Sequence, residues 1–304
     1  DIDRSSTGTF NMDIIMNAPH TVTFNSVEQY QLTVNGGNNI VLSVRSQTGD
    51  EWHDSRTILK VSSDYTWAVT PGRSRTNLIS TRIGGANLET PRRSSGTFTT
   101  PLITMSSPRI VTFISTVQYY ILVKGGNNVA FTPTSPTFDR WFDVQTSMRV
   151  STDNVWNSTT TERLNLVSWT LNGANFVVKR SNGGSMTTPQ ILVDTFQEIV
   201  FNHVTQYPLS VTGGGLITYS VPSPTADNWY DDGTILSVST THVWNEDQGT
   251  RLNLISWSFE GGAYVNVTSR RREGIFTTSD LSMIKARRVN FNPVTQFLLT
   301  LQSN

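Results

Sequence analysis

The chain of 304 residues contains no cysteine and few charged residues. The absence of cysteine excludes disulfide bonds, thiolate metal sites and cysteine nucleophiles. Charged side chains make up 15% of the residues and the formal net charge is zero, so a basic surface for nucleic acid is not expected. No apolar run approaches the roughly 20 residues of a membrane-spanning helix. We therefore predict a globular protein with no membrane span in this chain and no nucleic-acid partner.

Histidine is also scarce, and the four histidines share no position in any repeated pattern: His20, His53, His203 and His242. Their spacing fits neither a zinc site nor a catalytic base. The many serines lack the strained turn that presents a nucleophile in serine hydrolases. We therefore expect no enzyme, no catalytic residues and no cofactor.

What the chain does have is one unit that occurs three times. Aspartate, tryptophan and arginine recur in register, 88 or 89 residues apart, which is the signature of a repeat protein. The residues concerned are Asp54, Trp52, Trp67 and Arg75 in the first copy, Asp143, Trp141, Trp156 and Arg163 in the second, and Asp231, Trp229, Trp244 and Arg251 in the third.

Within each unit, short runs of alternating apolar and polar residues are separated by glycine, proline and asparagine. No window has a helical period with caps, so the pattern predicts an all-β fold. Because two packed sheets bury one face each, we expect three tandem Ig-like β-sandwich repeats of about 89 residues. Small open β-barrels are the alternative.

The period divides the chain into five segments. We predict repeats at 25–112, 113–200 and 201–289, tail strands of a preceding partial repeat at 1–24, and the first strand of a further partial repeat at 290–304. Both a complete subunit and a segment of a longer repeat protein fit this phase. An unpaired strand containing Phe297, Leu299 and Leu301 would be an inter-subunit donor strand, since its backbone groups lack partners.

Four motifs carry a family resemblance: Tyr-x-Leu-x-Val at 207–211, Trp-aromatic-Asp-x-Gly-Thr at 229–234, Arg-x-Asn-Leu-x-Ser-Trp at 251–257, and Met-x-x-Pro-Arg-x-Val-x-Phe at 105–113. As a set they resemble the tandem β-repeats of archaeal cell-surface and S-layer-like proteins. They are also similar to divergent internalin-B-type repeats of bacterial surface proteins. This resemblance implies secretion, tandem arrays, and adhesive or structural roles without catalysis.

The repeated aspartates and arginines have two interpretations each. Carboxylates at Asp227, Asp231 and Asp232 would suit Ca²⁺, although aspartates in turns more often accept backbone N–H bonds. We favour turn capping, and a structural Asp–Arg–Trp cluster in each repeat over an anion or sugar site. Basic loop residues such as Arg92 and Arg180 are expected to be solvated, or else to pair with a neighbouring repeat.

Two further features point to the cell exterior without deciding it. Asn157 and Asn266 begin Asn-x-Ser/Thr sequons, so they are candidate glycosylation sites. Tryptophan and tyrosine beside asparagine and aspartate also suit cell-surface glycans as ligands, although the repeated tryptophans are more typical of a core.

These patterns predict a non-enzymatic extracellular structural protein at the cell surface. We expect a subunit or segment of a filament, pilus-like fibre or S-layer-like array, with other copies of itself as its partner in a head-to-tail homopolymer assembled by β-strand complementation. The alternative is an adhesin or stalk that binds glycan or Ca²⁺ through its loops.

Overall fold

The computed structural model describes residues 4–5, 7–267 and 270–302. Strands, turns and bends account for the regular structure in these ranges, and no helix occurs among them, so the all-β prediction is confirmed. It follows that the same ranges hold no helix that is long and apolar enough to cross a membrane.

Most strands are short, and the longest lie where one predicted repeat meets the next. The first ten are β1 (Gln29–Asn35), β2 (Val41–Leu42), β3 (Trp52–Asp54), β4 (Ile58–Leu59), β5 (Val61–Asp64), β6 (Thr66–Thr70), β7 (Ser74–Ile83), β8 (Ala86–Leu88), β9 (Thr97–Thr99) and β10 (Ile103–Thr104). The next nine are β11 (Arg109–Lys124), β12 (Ala130–Thr132), β13 (Trp141–Asp143), β14 (Thr146–Asp153), β15 (Val155–Trp156), β16 (Arg163–Leu171), β17 (Ala174–Val177), β18 (Ser185–Thr187) and β19 (Ile191–Val193). The last eleven are β20 (Gln197–Thr212), β21 (Thr218–Tyr219), β22 (Trp229–Asp231), β23 (Thr234–Leu236), β24 (Val238–Thr241), β25 (Val243–Trp244), β26 (Thr250–Phe259), β27 (Val265–Asn266), β28 (Ile275–Thr277), β29 (Leu281–Met283) and β30 (Arg287–Phe297).

The chain falls into two compact units. The first comprises Asp1–Leu122, Pro133–Met148 and Gln190–Gln197, and the second comprises Val123–Thr132, Arg149–Pro189 and Glu198–Asn304. Residues of the predicted second repeat therefore occur in both units, while the first and third predicted repeats each lie almost wholly within one.

In the first unit, two layers of strands enclose the core. One layer has the order β3-β1-β11-β7, with β6 and β8 on β7, and in it β1 and β11 are parallel from Leu32↔Arg109 to Asn35↔Thr112. The other layer consists of β2-β5-β9 and β4-β10. The parallel pairing of the first and last strands differs from the antiparallel sheets of an Ig sandwich.

Alternating side chains of both layers form this core. Its buried members are Leu32, Leu59, Val61, Tyr65, Leu78, Phe98, Ile103, Met105, Val111 and Phe113. Because successive side chains of a strand point to opposite faces, the apolar alternation in the sequence places these residues on one side. Full burial of each large side chain contributes about 1.5–3 kcal/mol.

The second unit contains the same arrangement in the third predicted repeat. There β20 is parallel to β30 from Leu209↔Arg287 to Thr212↔Asn290, β22 pairs with β20, and β26 pairs with β30. The facing layer consists of β21-β24-β28 and β23-β29. The core comprises Leu209, Tyr230, Leu236, Val238, Leu254, Trp257, Leu281, Met283, Val289 and Phe291.

A glycine allows the first strand of each copy to end close against the last. Gly36 has a φ of 70°, and a Cβ there would lie 2.4 Å from the carbonyl oxygen of Phe113. Gly125 and Gly213 would meet the equivalent phenylalanine carbonyls at 2.4 and 2.1 Å. Only glycine satisfies both the left-handed backbone and the close approach, which accounts for its recurrence in the sequence.

The two ends of the chain lack strands that the sequence predicts. Residues 4–5 and 7–28 form no strand, so the tail strands predicted within 1–24 are absent from the described residues. In the first unit the equivalent strands β9 and β10 pair with β5 and β4, and no strand equivalent to β4 or β5 pairs with 7–24 among the described residues. At the other end β30 stops at Phe297, and 298–302 form no strand. Isolated strands are not stable in water, so both segments lack what strand formation requires.

Candidate functional site: the junctions between repeats

The repeated arginine of the first copy is buried where β11 continues into the second predicted repeat. Arg75 is 6% exposed and its Nε donates to Gln118 Oε1 at 2.8 Å. Its Nη1 and Nη2 donate to Asp139 Oδ2 and Thr137 Oγ1, each at 2.8 Å. The guanidinium also lies 4.6 Å from the ring centroid of Trp141, within range of a cation–π interaction. One guanidinium thus contacts four side chains.

The same arrangement recurs in the second unit. Arg163, 5% exposed, donates to Gln206 Oε1 at 2.9 Å, to Asp227 Oδ2 at 2.8 Å and to Thr225 Oγ1 at 2.9 Å. Its guanidinium lies 4.4 Å from the ring centroid of Trp229. Because Arg163 and its acceptors belong to successive predicted repeats, the contact joins one repeat to the next.

The turn that carries the acceptor residues has a fixed backbone conformation. Arg140, between the aspartate and the tryptophan, has a φ of 66°, and its carbonyl accepts the N–H of Ile121 at 3.0 Å. Asn228 has a φ of 62°, and its backbone carbonyl accepts the N–H of Leu209 at 2.8 Å in the same way. A left-handed residue is uncommon outside glycine, so this turn persists because the first strand holds it in place.

Hydroxyl groups complete the aspartate site. Thr225 donates to Asp227 Oδ1 at 2.6 Å, and Ser223 donates to the carbonyl of Trp229 at 2.9 Å. Burial alone would raise the pKa of Asp227, but the hydrogen bonds from Arg163 and Thr225 outweigh burial, so the pKa lies below its usual value. A backbone N–H bond from Trp229 adds to this effect, as expected of turn capping. The carboxylate is therefore both a turn cap and an arginine acceptor.

In each junction a second arginine also donates to an aspartate of the next predicted repeat. Arg92 donates from Nη1 and Nη2 to the two carboxylate oxygens of Asp143 at 3.0 and 2.6 Å, and from Nε to Asn77 Oδ1 at 2.8 Å. Gln118 Nε2 donates to the same aspartate at 2.9 Å. The expectation that Arg92 is merely solvated is wrong, because a bidentate pair holds it.

In the second unit Arg180 repeats this contact. Its Nη1 and Nη2 donate to Asp231 at 2.9 and 2.7 Å, and its Nε donates to Asn165 Oδ1 at 2.6 Å. Gln206 Nε2 donates to Asp231 at 3.0 Å. Each junction therefore contains two arginines, two aspartates and one glutamine that links them.

The sequence did not indicate which copy supplies each member of the cluster. The geometry places Arg75 with the aspartate and Trp141 of the following repeat rather than with Asp54 and Trp52 of its own. The second set of tryptophans lies elsewhere: Trp67 and Trp244 pack against the first and third cores, and Trp156 is buried, with its ring 5.5 Å from His203. Sequence reasoning also missed the bridging glutamines, although they recur in register as Gln29, Gln118, Gln206 and Gln296.

At the beginning of the chain the acceptor turn lacks one of its arginines. Arg4 donates to Asp54 at 2.7 and 2.6 Å, just as Arg92 does to its own aspartate. Asp50, equivalent to Asp139, accepts from Thr48, which holds its pKa below the usual value. No arginine pairs with Asp50 among the described residues, and Trp52 is 41% exposed. The turn therefore has the left-handed residue and the threonine–aspartate bond of the other copies, but no described arginine occupies the place that Arg75 takes beside Asp139.

At the end of the third repeat the donor arginine lacks its acceptor. Arg251 Nε donates to Gln296 Oε1 at 2.8 Å, as in the other copies, but the side chain is 27% exposed. The nearest described carboxylate is Glu246, at 3.9 Å. A cleft of about 440 Å³ lies beside Arg251. Its lining includes Glu246, Gln296, Phe297 and Leu298.

The strand end beside this cleft is apolar and exposed. Phe297, Leu298, Leu299 and Leu301 are 78%, 71%, 80% and 85% exposed. By register, Leu299 is equivalent to Leu32, Ile121 and Leu209, which are 1%, 0% and 3% exposed. The position that anchors the core in three strands is thus exposed at Leu299, which lies beyond the end of β30.

The calcium hypothesis conflicts with these contacts. The carboxylates of Asp227 and Asp231 each hold a guanidinium, and Asp232 contributes a backbone N–H bond to the carbonyl of Thr205 at 2.9 Å. No group of three or more potential metal-ligating acidic or histidine side chains occurs within the described ranges. Ca²⁺ needs six to eight oxygen ligands, so it would have to displace both arginines.

Both candidate glycosylation residues are exposed. Asn157 and Asn266 lie on the surface of the second unit. Thr268, which completes the second sequon, lies outside the described residues. Exposure satisfies one physical requirement for modification at either asparagine.

Comparison with models of protein families, with curated proteins and with solved structures finds no match. The resemblance of the repeat motifs to cell-surface repeats therefore stays a prediction, and the function has to be argued from the junctions themselves.

Proposed function

We propose that this is a non-enzymatic structural protein whose copies join end to end by exchanging a β-strand. The observation that carries the proposal is Leu299, which is 80% exposed although its three equivalents are core residues. Residues 298–302 form no strand, although the N–H of Leu298 bonds to the carbonyl of Gly249. An exposed apolar segment outside any sheet is relieved by pairing with another chain.

The acceptor for this segment is the position of β1 in a second copy. The sequence at 297–301 is Phe-Leu-Leu-Thr-Leu, and that at 30–34 within β1 is Tyr-Gln-Leu-Thr-Val. In place of β1, the segment would pair antiparallel with β3 and parallel with the start of β11. The exchanged strand would form the same hydrogen bonds as the strand it replaces, as in domain swapping. The displaced β1 would give up its own pairings and the burial of Leu32, so contacts beyond this strand must stabilise the joint.

Repetition of this contact leads to a fibre. Donor and acceptor are different surfaces, so each added copy again presents a free donor, and such a heterologous contact that does not close forms a filament. We infer a subunit or segment of a cell-surface filament, pilus-like fibre or S-layer-like array. Its extracellular location rests on the resemblance of the repeat motifs to those of surface proteins.

Self-association of the chain tests this function. We expect multi-angle light scattering to give a mass that rises with concentration for the parent chain and stays near that of one chain for Leu299→Asp. Thr295→Asp, a charge at a residue of β30 ahead of the exposed segment, is the control for added charge. A parent chain that remains monomeric at every concentration would contradict the proposal, and so would a Leu299→Asp chain that associates normally.

A further inference from the structure

The residues around Asp50 and those around Arg251 form complementary halves of one junction. Around Arg251 lies a cleft in which the arginine makes one hydrogen bond and its nearest carboxylate is the exposed Glu246 at 3.9 Å. The turn at Asp50 and Trp52 has a carboxylate and a ring, and no arginine of the described residues pairs with Asp50. In the two closed junctions these groups are in direct contact.

We propose that the turn containing Asp50 and Trp52 of a second copy of this chain binds in the cleft at Arg251. In that complex Arg251 would donate to Asp50 and to Thr48 and lie over the ring of Trp52. The inference rests on the proposed strand exchange, because 297–301 must occupy the β1 position of the second copy to bring this turn to the cleft.

Three observations support this pairing over binding of a free anion or an acidic peptide. First, the contact with Gln296 already orients Arg251, because Arg75 and Arg163 make the same Nε bond to Gln118 and Gln206. A planar guanidinium held at one edge presents its other nitrogens in a fixed direction.

Second, the acceptor turn is already formed. Glu51 has a φ of 68°, and its carbonyl accepts the N–H of Leu32 at 3.0 Å, as in the two closed junctions. After the exchange the N–H of Leu299, the equivalent of Leu32, would make this bond and keep the turn in the same form. Thr48 is bonded to Asp50, so the carboxylate and hydroxyl that an arginine would contact are in place. Binding would therefore order few additional groups.

Third, the end of the third repeat contains a buried polar atom without a partner. Asn253 is 2% exposed and its Oδ1 accepts no hydrogen bond from the described residues. The equivalent oxygens of Asn77 and Asn165 accept from Arg92 and Arg180, which are in turn held by an aspartate of the next repeat. An unsatisfied buried acceptor is costly, and a following repeat would supply the aspartate that positions such an arginine.

Charge reversal at each half of the junction tests the inference. We would measure sedimentation velocity over a range of concentrations for Arg251→Asp, for Asp50→Arg and for an equimolar mixture of the two variants. Each variant alone should associate about tenfold more weakly or not at all. The mixture should form dimers, because the intact Asp50 turn of one variant meets the intact Arg251 of the other.

The controls separate this inference from the proposed function. Arg149→Asp, an exposed charge reversal on β14, should associate like the parent chain, and thermal melts should show that all variants are folded. If both junction variants associate normally while Leu299→Asp does not, strand exchange stands and the pairing of Arg251 with Asp50 is overturned. Failure of the mixture to recover association would also overturn it. A parent chain that never associates would overturn the proposed function itself.

Discussion

The junction after the first repeat and the end of the third repeat are built from equivalent residues but differ in what they bury. Arg75 is 6% exposed and is enclosed by a carboxylate, a hydroxyl, an amide and an indole ring. Arg251 keeps the amide contact, has a carboxylate no nearer than Glu246 at 3.9 Å, and is 27% exposed. The difference teaches that Arg75 and Arg163 are enclosed by the aspartate turn of the next copy of the motif, and that Arg251 has no such turn among the described residues.

The largest contrast is expected for the apolar strand residues. Leu209→Ala should lower the free energy of unfolding by about 2–5 kcal/mol, because it removes a core anchor and leaves a cavity. Leu299→Ala, the matched change in the exposed segment, should alter it by less than about 0.5 kcal/mol at concentrations where the chain is monomeric. Urea denaturation followed by tryptophan fluorescence measures the free energy of unfolding of both variants. Equal losses would contradict the claim that Leu209 is a core residue and Leu299 is not.

A smaller contrast is expected for the arginines. Arg163→Ala should cost about 2–3 kcal/mol, because charge-assisted hydrogen bonds are lost and Asp227 is left unpaired in a partly buried site. Arg251→Ala should cost less than about 1 kcal/mol in the monomer, since it loses one neutral acceptor and a long, exposed ion pair with Glu246. The same denaturation experiment tests this pair, with Arg163→Lys as a probe of geometry. Lysine should not restore stability, because it cannot reproduce the fork of donors or the stacking on Trp229.

The smallest effect is expected for His53, which follows the tryptophan of the acceptor turn in the first copy. His53 is 2% exposed, and its Nε2 has no hydrogen-bond partner among the described residues, whereas the second repeat has Phe142 at this position. His53→Phe should raise the free energy of unfolding by about 1 kcal/mol at neutral pH, because a buried unsatisfied nitrogen is removed.

The variant should also change the pH dependence of stability. Burial lowers the pKa of His53 below its usual 6.5, so the folded state favours the neutral ring. The unfolded state therefore binds a proton first, and the parent chain should lose stability as the pH falls below about 6.5 until the folded pKa is reached. Urea midpoints at a series of pH values should show a weaker dependence for His53→Phe. An unchanged slope would mean that this histidine does not link protonation to folding.

Much of the fold was predictable from the sequence because its causes are local. The alternation of apolar residues predicts strands, and the recurrence of Trp52, Trp141 and Trp229 sets the period. The parallel pairing of β1 with β11 was not predictable, since a strand pattern does not specify which strands are neighbours. For that reason the sequence predicts an all-β, Ig-like sandwich but not the order of the strands in its sheets.

The junction was only half predictable for a similar reason. The recurrence of Arg75 and Asp54 in register indicates a conserved cluster geometry within the chain, yet a period cannot distinguish a contact within a repeat from one to the next. Arg75 and its acceptor Asp139 are 64 residues apart, less than one period, and only the folded structure brings them together. The recurrence of Gln29, Gln118, Gln206 and Gln296 in the sequence was a signal for this contact, because Gln118 and Gln206 bridge an arginine and an aspartate in the two junctions.

The most direct test of strand exchange is a cross-link between the two strands that should meet. In the register of β1 with β11, Thr33 lies opposite Ile110, and Thr300 is the equivalent of Thr33 in the exposed segment. Neighbouring strands bring Cα atoms within the roughly 4.4–6.8 Å that a disulfide spans, and the chain has no other cysteine to compete. The measurement is a non-reducing gel of the double variant Thr300→Cys, Ile110→Cys after mild oxidation, with Thr300→Cys, Ile235→Cys as the matched control.

The account predicts a ladder of disulfide-linked multimers for Thr300→Cys, Ile110→Cys that collapses to one chain on reduction, and a much weaker ladder for the control. A ladder of equal intensity in both variants, or none in either, would contradict the exchange of this strand between copies.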